Sequence, residues 1–129
     1  MIKVKPIIGI TQGDTNGIGP EVVLKAVQQS EILDICTPVI FSSQKTITYF
    51  KKALQLNDFS FNPIKNWTQI NHKKVNVFIA YEDEVPIELG KPTIESAKYA
   101  YISLEAGTQA LLNKNIHALV TAPLNKFSV

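Results

Sequence analysis

Two short stretches hold most of the residues able to do chemistry. The first is Gly13-Asp14-Thr15-Asn16-Gly17-Ile18-Gly19-Pro20-Glu21. Glycines at Gly13, Gly17 and Gly19 allow positive φ and close approach of backbone to a ligand. Pro20 and Glu21 read as the first turn of a helix, where proline fits and an acid complements the helix dipole. Backbone N–H groups at such a terminus, around Ile18 and Gly19, suit an anionic ligand. Asp14 can hold a hydroxyl or a cation, or make an Asx turn. The spacing is Gly-x-x-x-Gly-x-Gly. It is not the dinucleotide fingerprint GxGxxG, and no Gly-Lys-Ser/Thr of a Walker loop follows. Spacing alone leaves a ligand-contacting loop and a tight structural turn both open. The second stretch is Val120-Thr121-Ala122-Pro123-Leu124-Asn125-Lys126. Pro123 ends a strand and turns the chain outward. Lys126 can place an ammonium over a phosphate or carboxylate, or it is simply solvated.

Other reactive side chains suggest less. His117 just precedes a strand and reads as a cap or core-edge residue, and His72 as an exposed loop residue. No paired spacing such as HExxH occurs, so the expected metal-ligand set within this chain is none. Cys36 is the only cysteine and reads as a buried, inert thiol. Glu82, Asp83 and Glu84 are consecutive and read as surface. The 129 residues carry a net charge of +2 with 45% hydrophobic and 19% charged residues. That suits one domain with a sizeable core and gives no basic surface for nucleic acid. No apolar run approaches the roughly 18 residues a membrane span needs. With no secretory signal visible, the expected location is the cytoplasm.

The elements that must position these residues read as alternating strands and helices. A strand ends at Thr11, with its firm part starting at Ile7 because Pro6 cannot donate to a ladder. A helix runs from Pro20 to about Gln29. Val39-Ile40-Phe41 is a strand, and Ser42-Ser43 caps a helix through Leu56. Residues 57–74 are rich in turn signals, and Phe59, Phe61 and Trp67 tether them to the core. Val75–Ile79 is a strand, and the acidic stretch Tyr81 to Lys91 a surface loop. Thr93 caps a long helix to about Leu112, with a stripe of Ala97, Ala100, Tyr101, Leu104, Thr108 and Leu111. Gly107 within it marks close packing. A last strand covers Ala118–Ala122. The pattern predicts an α/β fold in three layers, with a mainly parallel sheet. Ligands on such sheets bind at the carboxyl ends of strands, where both motif stretches lie.

Together the two stretches resemble the signatures of the 4-hydroxythreonine-4-phosphate dehydrogenases, the PdxA family. Ile10 to Glu21 resembles the opening motif and Leu119 to Lys126 the second. Gly90-Lys91-Pro92-Thr93 and the following helix resemble the segment between. Thr15 stands where the family usually has proline, and Ala97 where it often has glycine. Members are more than twice this long, with a Gly-His-Thr-Glu motif and metal-ligand histidines after the second signature. The chain is therefore expected to be the amino-terminal part, 1–129, of an isocitrate/isopropylmalate dehydrogenase-like fold, and inactive alone. The resemblance implies NAD(P)-dependent oxidation and decarboxylation of 4-phosphohydroxy-L-threonine in pyridoxal 5'-phosphate (vitamin B6) biosynthesis. It implies a divalent metal held beyond residue 129, a phosphorylated small-molecule substrate and a homodimer. It places Gly13, Asp14, Gly17, Ile18 and Gly19 on the cofactor side of a cleft, with Thr121 and Lys126 on the substrate side. Alternatives are a dehydrogenase for threonate or erythronate phosphate, a phosphate acyltransferase of the same general fold, and a non-catalytic fragment binding a phosphorylated ligand.

Overall fold

The computed structural model describes residues 5–91 and 93–123. Five parallel strands form one sheet in the order β3-β4-β2-β1-β5. They are β1 (Ile7–Thr11), β2 (Thr37–Ser42), β3 (Phe61–Ile64), β4 (Val75–Ile79) and β5 (Ala118–Val120). The helices are α1 (Gly19–Val27), the single turn α2 (Ile32–Ile35), α3 (Gln44–Ala53) and α4 (Ile94–Leu112). The expected α/β class in three layers is therefore present.

Side-chain alternation along the strands divides the core in two. Ile40, Val75 and Val77 join Val23, Leu24 and Val27 of α1 and Ile47 and Phe50 of α3. On the other face Val39 and Phe41 pack with Ile64, Ile116 and Ala110 of α4. Every residue of β2 is buried, as a central parallel strand covered on both faces requires. Fully burying one such aliphatic side chain contributes about 1.5–3 kcal/mol, so this strand anchors the sheet.

Several boundaries differ from expectation. Residues 57–74 contain β3 and a 3-10 turn over Trp67–Gln69. β3 includes Pro63, which an edge strand tolerates. Helix α3 stops at Ala53 rather than Leu56, and Gln55 has φ +57° just beyond it. The expected stripe of α4 is corrected. Its buried face is Ser96, Ala97, Tyr99, Ala100, Ser103, Gly107 and Ala110, whereas Tyr101 and Leu111 are exposed. Small residues face the sheet because the helix lies close to it. A Cβ on Gly107 would stand 2.7 Å from Leu119 Cδ1. Ser103 Oγ accepts the Gln12 N–H at 2.9 Å and donates to Phe41 O at 2.5 Å, fixing α4 over β1 and β2.

Candidate functional site

The loop after β1 and the exit of β5 meet at the carboxyl edge of the sheet. Thr11 Oγ1 accepts the Ala122 N–H at 2.9 Å, and the Asp14 N–H donates to Pro123 O at 3.2 Å. Gly13 has φ +74°, and a Cβ there would stand 2.6 Å from Pro123 O. A Cβ on Gly19 would meet Gln12 O at 2.7 Å, so the first turn of α1 presses on the loop. Gly17 differs. Nothing lies within 3.7 Å of its notional Cβ, and Gly17 and Ile18 form the exposed tip. Pro20 and Glu21 occupy the first turn of α1, and no side chain caps it. Among the described residues its leading N–H groups, Pro20 having none, thus have no side-chain acceptor.

Inside the loop, Asp14 Oδ1 accepts the Asn16 N–H at 2.8 Å, and Asp14 O accepts the Gly17 N–H at 3.1 Å. This is the Asx turn open to Asp14. The Asn16 side chain reaches across to the β4–α4 connection, accepting from Glu88 N and donating to Lys91 O. Beneath the loop, Gln12 is fully buried. Its Oε1 accepts from Ser42 Oγ at 2.5 Å and Tyr81 OH at 2.7 Å. Because Tyr81 gives its hydrogen to Gln12, Thr46 Oγ1 donates to Tyr81 at 3.0 Å and accepts from Ser43 Oγ at 2.8 Å. Gln12 Nε2 and Thr15 Oγ1 are buried without a hydrogen-bond partner among the described residues. Buried polar atoms seldom stay unpaired, so this loop retains hydrogen-bonding capacity.

This geometry sits in a chain with clear relatives. The family model described as "Pyridoxal phosphate biosynthetic protein PdxA" matches residues 34–129. The chain belongs to the PdxA family. It is 37% identical over 122 residues to a 4-hydroxythreonine-4-phosphate dehydrogenase of Bacteroides thetaiotaomicron, covering 95% of this chain and 33% of that protein. A protein of Oceanobacillus iheyensis described as a putative D-threonate 4-phosphate dehydrogenase is 30% identical, covering 95% and 37%. A 4-hydroxythreonine-4-phosphate dehydrogenase structure from Burkholderia phymatum shares the fold, with TM-score 0.84 and 22% identity over 98% of this chain and 38% of that one. The chain thus spans about a third of the length of these PdxA-family relatives.

The remaining candidate residues are scattered relative to the PdxA loop. Thr121 is exposed beside it, and Lys126 lies outside the described residues. Both histidines sit at the opposite, amino-terminal edge. His117 Nδ1 accepts the Ile7 N–H at 2.9 Å, and His72 Nδ1 lies 2.9 Å from Thr37 Oγ1. Cys36 is buried at the same edge, and burial pushes its thiol pKa up despite the nearby Lys5 ammonium. The acids diverge. Glu82 pairs with Lys65 at 2.8 Å, which holds its carboxyl below the usual range. Asp83 accepts from Tyr99 OH at 2.7 Å, pushing that phenol up to about 12. A groove of about 890 Å³ runs between the first turn of α3 and the ends of β3 and β4, with Lys45, Lys65, Glu82 and Glu84 on its walls. Sequence reasoning missed this groove and the roles of Gln12, Asn16 and Ser103. Their partners lie 30 to 91 residues away, and no local pattern marks them.

Proposed function

We propose that this chain is the amino-terminal, loop-bearing part of an NAD(P)-dependent dehydrogenase acting on 4-phosphohydroxy-L-threonine in pyridoxal phosphate biosynthesis. The observation that carries the reading is the direct lacing of Thr11–Gly19 to Ala122-Pro123 at one sheet edge, in a chain of the PdxA family. A 4-phosphorylated threonate is the second reading, favoured by the relative at 30% identity. The relative at 37% supports the first.

In this reading a nicotinamide held at the Gly13–Gly19 loop would supply the hydride acceptor for oxidation of the substrate carbinol. The loop suits the anionic part of such a cofactor, since Gly17 leaves space for close approach and α1 presents uncapped N–H groups. Gly13 and Gly19 hold the loop down on the sheet so that these donors are preorganised. Lys126 and Thr121 are assigned to an anionic group of the substrate. A divalent metal does not fit the residues at hand. Among the described residues no three His, Cys, Asp or Glu side chains converge, and Asp14 Oδ1 is already engaged by Asn16 N. A homodimer belongs to the same proposal for the full-length protein.

The test is NAD(P)H formation by the full-length protein from 4-phosphohydroxy-threonine and from D-threonate 4-phosphate. Binding titrations with Gly17→Val and Lys126→Ala accompany it. Lys126→Ala removes a charge-assisted hydrogen bond worth about 1.5–3 kcal/mol, and Gly17→Val puts a side chain where the cofactor would approach, so each variant should weaken its ligand roughly tenfold or more. Unchanged binding in both would remove the assignments.

A further inference from the structure

Asn16 is 3% exposed, and five hydrogen bonds meet on it. Its N–H donates to Asp14 Oδ1 and its carbonyl accepts the Gly90 N–H at 2.7 Å. Its Oδ1 accepts the Glu88 N–H at 2.8 Å. Its Nδ2 donates to Lys91 O at 3.0 Å and to Thr93 Oγ1 at 3.3 Å. Thr93 is the N-cap of α4, and the same Oγ1 accepts the Ser96 N–H. One side chain therefore joins the glycine loop to the whole turn that leads into α4.

Among the described residues little else holds that turn. Val85 and Ile87, before it, pack against the core. Leu89 is 63% exposed and Gly90 is in the left-handed region at φ +81°, with nothing within 4 Å of its notional Cβ. The internal bond from Lys91 N to Glu88 O shapes the turn without attaching it to anything. The attachment of Glu88–Lys91 is thus polar and centred on Asn16, next to the exposed tip at Gly17.

We propose that Asn16 is a positioning residue that ties the Glu88–Lys91 strap and the Thr93 cap to the glycine loop, so that loop and strap respond to a bound ligand as one body. This rests on the reading of the loop as the cofactor side. A ligand that stiffens the loop stiffens the strap through these bonds, and the coupling is reciprocal. Alanine at position 16 removes three of the five bonds. Aspartate keeps the acceptor for Glu88 N but sets a carboxylate oxygen against Lys91 O.

Amide hydrogen exchange tests this on the full-length protein, without ligand and with NADH. Without ligand, Asn16→Ala should speed exchange at both Glu88 and Gly90 about tenfold, the scale of one or two net hydrogen bonds. Val39–Phe41 should keep their rates, which shows that the variant is folded. The Gly90 amide is decisive because it bonds the backbone of Asn16, which alanine retains. Should it stay protected, the strap is held by something else and the proposal fails. With NADH, peptides covering 12–19 and 87–93 should slow together in the wild type, and only 12–19 in Asn16→Ala. Slowing of both in the variant, or of 12–19 alone in the wild type, overturns the coupling. If NADH leaves 12–19 unchanged in the wild type, the cofactor reading fails, while the ligand-free result still decides the tether. Asn16→Asp is the second variant, expected to spare Glu88 and release Gly90.

Discussion

Gly13 and Gly17 belong to one loop but do different work, and substitution separates them. Alanine at Gly13 would adopt φ +74° with its Cβ 2.6 Å from Pro123 O. The contact is with backbone, which cannot swing away, so the seam between the β1 loop and the β5 exit must open. Gly13→Ala should destabilise the chain by about 1–3 kcal/mol, measured as the shift in a urea unfolding midpoint. Gly17→Val meets nothing within 3.7 Å, so its midpoint should move by less than about 0.5 kcal/mol. Its effect should appear in ligand binding instead. Asn76 makes the same kind of argument in the sheet. It is fully buried, accepting from Asn62 Nδ2 and Asn71 N and donating to Asn71 O and Lys74 O. Leucine is close to asparagine in shape but strands several polar groups. Asn76→Leu should cost about 3 kcal/mol in the same measurement. Tyr99 gives a pH prediction. Its folded pKa is raised to about 12 because its hydroxyl donates to Asp83. Between the ordinary phenol value of about 10 and the raised one, the folded state keeps a proton that the unfolded chain has lost. This contribution is complete below pH ~10 and disappears towards 12. Tyr99→Phe should therefore flatten the alkaline fall in stability.

Elements carrying a local cap were legible in the sequence, and those held by distant partners were not. Thr93 and Ser96 form a capping box, and α4 begins where that pattern places it. Ser43 accepts the Thr46 N–H and starts α3 in the same way. β1 begins at Ile7, one residue after Pro6, and β4 coincides with the apolar run Val75–Ile79. β3 was hidden because Asn62 and Pro63 read as turn formers. Only the pairing of Pro63 with Val77 and the bond of Asn62 to Asn76 make it an edge strand. The buried stripe of α4 was misjudged for a related reason. Large apolar residues were expected to face the sheet, but the helix sits too close for them. In the candidate site, the two loops at the carboxyl edge were legible because glycine and proline announce them. The tether from Asn16 was not, since it depends on a connection 72 to 77 residues away. The close seat of α4 predicts its own weak point. Ser103 satisfies Gln12 N and Phe41 O at once. Ser103→Ala removes the partner of a buried donor and a buried acceptor and should cost about 2–6 kcal/mol, counted at about 1–3 per group. Circular dichroism should show loss of helix at the lower urea midpoint.

Among the described residues the two ends of the sheet are covered to different extents. β3 and β4 are sealed by α3 and by the Trp67–Phe78 stack, whose ring centroids are 5.0 Å apart. At the other end β5 pairs only with β1 among the described residues, and Val120 is 53% exposed. Helix α4 turns Tyr99 toward Tyr81. About half a turn further round, past the close approach of Gly107 to Leu119, it carries Leu112, Tyr101 and Ile94 on a flank that is exposed among the described residues. An unpaired strand edge beside an apolar helix flank is adhesive surface. The relatives are about three times as long as this chain, so their additional polypeptide is a sufficient cover for such a surface. Produced as these 129 residues, the chain should bind a hydrophobic dye in its native state and show a sedimentation mass that rises with concentration. Ile94, Tyr101 and Leu112 are each at least 60% exposed, so they contribute little to the core. Replacing all three by lysine should abolish dye binding and self-association while moving the urea midpoint by less than about 1 kcal/mol. A wild-type chain that stays monomeric and dye-free at high concentration would show that the flank is not adhesive. A triple variant that still associates would move the sticky surface to the open edge of β5, where a charge on Val120 is the next substitution to measure.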